Sequence, residues 1–146
     1  MSNLAQDLSL LLADYQVFYQ KLRTYHWTVA GPQFFGLHAK FESLYDDAAE
    51  KVDGLAERLL TLGHRPPTTL KRALEIARLR EDAEPKSAEQ MLQAVLSDMG
   101  ALVAAQRKLS DEAGEVRDRA TANLLDGWSD EQEKTMWMLR ATLGVR

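Results

Sequence analysis

Hydrophobic residues recur along most of this chain at alternating three- and four-residue steps, the period of an amphipathic helix. Leu4, Leu8, Leu11, Tyr15, Phe18, Leu22, Tyr25 and Val29 trace a first stripe, which Gly31-Pro32 ends. A second runs through Leu37, Phe41, Leu44, Ala48, Val52, Leu55, Leu59 and Leu62 and stops at Gly63, ahead of Pro66-Pro67. The third begins at Ser87, where Ser87-Ala88-Glu89-Gln90 has the form of a capping box. It continues through Met91, Val95, Met99, Leu102 and Leu109, and Gly114 is expected to close it. A fourth holds Leu124, Leu125, Trp128, Thr135, Met136 and Leu139; Gly127 and Ser129-Asp130-Glu131-Gln132 give it a place to kink or restart.

Connection lengths set the expected topology. Short turns near residues 30–34 and 113–117 make the first and second helices, and the third and fourth, antiparallel neighbours. The stretch from Gly63 to Lys86 is long enough to cross a whole bundle. Within it Leu70, Ala73, Leu74 and Ala77 mark a short amphipathic helix, expected to pack on its own bundle or on a neighbouring subunit. The expectation is an all-α four-helix bundle with a long crossover carrying a short extra helix, residues 1–146 forming one domain.

Composition narrows the chemistry. The chain has 146 residues, 45% hydrophobic and 27% charged, with no cysteine. Disulfides, thiolate metal sites and cysteine nucleophiles are excluded, and a reducing cytoplasm is the expected location. No basic region opens the chain, Asp7 and Asp14 interrupt its first apolar stripe, and no run approaches the roughly 18 apolar residues of a membrane span. Net charge is -4 and the pI about 5.4, so contact with nucleic acid is expected to be weak or absent.

No G-x-G-x-x-G, P-loop, G-x-S-x-G or H-E-x-x-H motif occurs. Among the three histidines, His64 sits in a His-Arg-Pro-Pro turn and reads as a solvated loop residue. His26 and His38 flank the start of the second helix. His38 and Glu42 share a helix face, as do Asp53 and Glu57. The two pairs lie about 22 Å apart at a rise of 1.5 Å per residue, too far to meet around one ion. Four-helix di-iron proteins use Glu-x-x-His motifs inside one bundle, and this chain has none. Two copies of the second helix, packed antiparallel across a two-fold axis near Asp47 or Ala48, would set His38 and Glu42 level with Glu57 and Asp53. These positions fall within a strip about 100° wide. Two identical sites would result, each with two imidazoles and three carboxylates. That set suits Fe(II), with Zn(II) or Mn(II) as competitors. The same residues also fit a solvated acidic face, with Glu57 paired to arginines and His38 a satisfied interface histidine; spacing alone leaves both open.

Residues 25–62, from Tyr25-His26-Trp27 through Gly36-Leu37-His38 and Lys40-Phe41-Glu42 to Val52-Asp53-Gly54 and Glu57, closely resemble the signature of the Dps family, the mini-ferritins. Arg119-Ala-Thr-Ala-Asn-Leu-Leu125 and Glu133-Lys-Thr-Met-Trp-Met-Leu-Arg140 extend the likeness over nearly the whole chain. The resemblance implies a ferritin-like subunit of a hollow homo-dodecamer that oxidises Fe(II), with hydrogen peroxide or oxygen, and stores the ferric mineral. It implies ferroxidase centres holding two irons at dimer interfaces, with His26, His38 and Glu42 from one subunit and Asp53 and Glu57 from its mate. Glu57 is then the expected bridge between the irons. Trp27 is similar to the family's near-site tryptophan, which takes up stray oxidising equivalents, though interface packing accounts for it equally. Asp118 matches a position of the three-fold entry pore, and Asp126 lies close enough to compensate for Asn123, which stands where many relatives have Asp. Glu42 also stands where many carry Asp. The lysine-rich N-terminal arm that lets some members compact DNA is missing, which disfavours that alternative role.

Overall fold

The computed structural model describes residues 3–145. Five helices, and no strand among the described residues, follow in order: α1 Asn3–Thr28, α2 Phe34–Thr61, α3 Leu70–Ile76, α4 Ala88–Glu115 and α5 Arg119–Thr142. The fold is the expected all-α one. The α1 helix packs chiefly on α2, and α4 on α5, while α1 also touches α3 and α4. Leu8, Leu11, Tyr15, Leu22, Phe41, Leu55, Leu59, Val95, Leu102 and Leu125 are buried in the shared core. Those are the stripe positions whose removal from water drives the helices together.

Helix ends follow the local sequence in most places. Gly63, at φ +85°, closes α2 in a Schellman arrangement: its amide donates to the Leu60 carbonyl, and that of His64 to Leu59. Ser87 and Gln90 form the reciprocal capping box at the start of α4. The end of α4 differs from expectation. Gly114 lies inside the helix, and the chain turns at Arg117, at φ +60°, so that the Asp118 amide reaches the Ala113 carbonyl.

The α5 helix is continuous through Gly127 and the polar stretch, the place the sequence left open to a kink or restart. Ser129 and Gln132 point inward, three residues apart on one face. Gln106 donates through Nε2 to Ser129 Oγ (3.0 Å) and Gln132 Oε1 (2.8 Å). Gln132 donates to the Tyr15 hydroxyl (2.8 Å), which in turn donates to Gln106 Oε1. Burial pushes the Tyr15 phenol far up, which keeps it a donor. The middle of the bundle thus holds neutral, mutually satisfied amides and hydroxyls.

Two carboxylates tie the crossover down. Asp14, buried on α1, accepts the Arg78 amide (2.5 Å), the Leu79 amide (3.1 Å) and the Arg78 guanidinium. Asp82 accepts the Tyr25 hydroxyl at 2.6 Å. Of α3 itself only Ala73 is buried, and Leu70 and Leu74 face solvent in the single chain.

Candidate metal centre

His26 lies in the last turn of α1 and His38 in the second turn of α2, brought together by the short turn at Gly31, φ +109°. Their rings stack with centroids 3.8 Å apart and planes 13° from parallel. Each Nδ1 lies 2.7 Å from the other residue's backbone carbonyl. A carbonyl only accepts, so each Nδ1 carries the proton and donates it. The His26 carbonyl belongs to a helix end, where carbonyls lack the usual intrahelical partner; that of His38 uses its second lone pair. In the neutral rings this leaves both Nε2 lone pairs for a ligand, the arrangement by which backbone carbonyls orient metal-binding imidazoles. Phe34 stacks on the outer face of His38, with centroids 4.9 Å apart.

Glu42 is exposed one turn after His38, and its Oε1 accepts the Tyr45 hydroxyl at 3.4 Å. The Tyr45 ring also meets His26 edge-on, 5.3 Å between centroids. Burial, then the charges of Glu42 and Asp46, push the Tyr45 phenol up. Sequence reading passed over Tyr45, yet its position seven residues after His38 and three after Glu42 places it on their face.

Asp53 and Glu57 are exposed further along α2, and their side chains make no ion pair or hydrogen bond among the described residues. The arginine next to Glu57 is engaged elsewhere: Arg58 donates to Asp118 (2.9 Å) and Thr121 (2.8 Å). Among the described residues, one chain gathers no three His, Asp or Glu side chains that could hold an ion. The chain therefore unites His26 and His38 and leaves the Asp53–Glu57 pair apart from them.

Of the auxiliary positions, Trp27 is 58% exposed, with the Arg23 guanidinium 4.9 Å above its ring. Asp118 caps α5 by accepting the Thr121 amide and hydroxyl, at 3.1 and 2.5 Å, besides pairing with Arg58. Burial pushes its carboxyl up, but the Thr121 bonds and the Arg58 charge together hold it below the usual range. Asp126 and Asn123 are exposed on α5, and His64 is half-buried. No helix among the described residues is long and apolar enough to cross a membrane.

Residues 5–145 match the family model of the ferritin-like domain. DNA protection during starvation protein 2 of Bacillus anthracis is 42% identical over 136 residues, 93% of each chain. A DNA protection during starvation protein of Porphyromonas gingivalis is 40% identical, covering 93% of this chain and 86% of its own. Dps from Staphylococcus aureus superposes with a TM-score of 0.94 at 35% identity, covering 99% of this chain and 97% of that one. A Dps protein from Vibrio cholerae O1, described as a member of a broad superfamily of ferritin-like diiron-carboxylate proteins, gives 0.93 at 42% identity, covering 96% and 88%. With this crossover topology and this likeness along nearly its whole length, the chain belongs to the Dps family of ferritin-like proteins.

Proposed function

We propose that the protein is an iron-oxidising and iron-storing mini-ferritin whose ferroxidase centres form between two chains. One chain supplies His26, His38 and Glu42 to each centre and its mate supplies Asp53 and Glu57. Two Fe(II) ions are the substrate, hydrogen peroxide the favoured oxidant, and the ferric product is kept inside a dodecameric cage.

The observation that carries this reading is the register along α2. Antiparallel pairing of two copies, centred between Asp47 and Ala48, sets His38 opposite Glu57 and Glu42 opposite Asp53. That register also sets Phe35 opposite Leu60, and these side chains are 87% and 60% exposed in the single chain. At about 100° per residue both lie within the strip that holds the four ligands. Apolar residues exposed at both ends of a ligand strip fit an intersubunit seam better than a solvated acidic face.

Two imidazole nitrogens and three carboxylates are borderline and hard donors, a set that suits Fe(II) and also accepts Zn(II) or Mn(II). The reciprocal carbonyl bonds fix the imidazoles before an ion arrives, and the carboxylates offset its charge. Several relatives are named for protecting DNA. With a net charge of -4 per chain, protection here rests on consuming iron and peroxide together rather than on coating DNA. Stoichiometric Fe(II) binding followed by peroxide-dependent oxidation is expected, and both His38→Ala and Asp53→Ala should reduce it to background. Iron oxidation unaffected by either change would place the chemistry elsewhere. DNA retarded in a gel at physiological salt would contradict the charge argument.

A further inference from the structure

On the proposed ferroxidase reading, we infer that Tyr45 is a one-electron donor to the iron site, and that Arg23 confines the resulting hole to it. Tyr45 touches two proposed ligands at once: its ring edge meets His26 at 5.3 Å between centroids, and its hydroxyl points to Glu42 Oε1. Behind it the Tyr19 ring lies at 5.8 Å, nearly perpendicular. Beyond that the path is electrostatically closed. The Arg23 guanidinium sits 5.2 Å from the Tyr19 centroid and 4.9 Å from that of Trp27. A cation over an aromatic face is stabilised by the electron-rich ring, and so opposes withdrawal of an electron from that ring.

Peroxide needs two electrons to become two waters. A site with two Fe(II) supplies both. A site with one supplies one, and cleavage of the O–O bond then releases a hydroxyl radical unless a neighbouring group gives the second. Tyr45 gives that electron together with its phenolic proton, directed toward Glu42. One Fe(II) becomes Fe(III), the O–O bond breaks, the phenolic proton and one from solvent complete two waters, and a neutral phenoxyl radical stays on Tyr45. A later Fe(II), with a proton, restores the phenol.

The assembled protein, given fewer Fe(II) ions than it has sites and then excess hydrogen peroxide, is freeze-quenched and read by electron paramagnetic resonance. A tyrosyl signal is expected, narrowed when ring-deuterated tyrosine is incorporated, unmoved by deuterated tryptophan, and lost in Tyr45→Phe. Tyr15→Phe, Tyr19→Phe and Tyr25→Phe each leave Tyr45 in place and should keep the signal; since the chain has four tyrosines, together they decide the matter if Tyr45→Phe fails to assemble. Iron oxidation without an organic radical, a signal that survives Tyr45→Phe or disappears in any of the other three variants, or one that responds to deuterated tryptophan overturns the assignment. Ferric absorbance from the same samples separates this failure from failure of the ferroxidase reading, in which the unaltered protein oxidises no iron.

Discussion

At the scale of single residues, one carboxylate can serve the fold or the chemistry according to what surrounds it. Asp118 resembles a pore residue in sequence, but here its oxygens receive the Thr121 amide, the Thr121 hydroxyl and Arg58. Removing them with Asp118→Ala is expected to cost about 2 kcal/mol, from a lost helix cap and a half-buried guanidinium left unpaired. Its folded-state pKa lies below the unfolded one. The contribution is therefore complete above about pH 4, the ordinary Asp value, and is lost as pH falls through the folded value. Denaturant unfolding followed from neutral to acid pH should show Asp118→Asn with a flatter acid limb than the natural protein. An unchanged limb would mean that other carboxylates carry the acid sensitivity. Asp53 and Glu57 stand at the other extreme, exposed and, among the described residues, unpaired. Their candidacy was legible from spacing. The commitment of Asp14 to the crossover was not, because its partners at 78 and 79 are remote in sequence.

At the scale of elements, the apolar period located all five helices, and the errors fell where polar residues or glycine admit two readings. Gly114 looked like a stop, yet helices tolerate an interior glycine at about 1 kcal/mol relative to alanine. The stop is set by the Schellman bond from Asp118 to Ala113, which forces Arg117 into the left-handed region. That conformation costs an L-residue roughly 1–2 kcal/mol, and glycine's greater freedom in the unfolded chain offsets part of any relief. Arg117→Gly is therefore expected to raise stability by about 0.5–1 kcal/mol, measured by chemical denaturation at neutral pH. A loss instead would show that the arginine side chain contributes more than its backbone strain costs. In α5, the Ser-Asp-Glu-Gln stretch left the helix's continuity open because its inward residues are polar. Gln106 on α4, more than twenty residues away, accounts for both Ser129 and Gln132.

For the whole molecule, the question is whether the two halves of the ligand set meet across a subunit boundary. Co-assembly of His38→Ala with Asp53→Ala chains gives mixed dimers in which one centre lacks both ligands and the other is intact. Ferroxidase activity should partly return in such mixtures, although each variant alone is expected to be nearly inactive. Absence of recovery, with mixing proven by mass spectrometry, would exclude a centre shared between chains. The sequence by itself determined the helices, the long crossover and the division of the candidate ligands into two groups, because these follow from local periodicity and from the fixed rise of a helix. Tertiary structure decided what depends on distant partners. It set the carbonyl bonds that orient His26 and His38, brought Tyr45 against His26, and paired Asp118 with Arg58. Each of these joins residues of different elements brought close by packing, so no period along the chain encodes it.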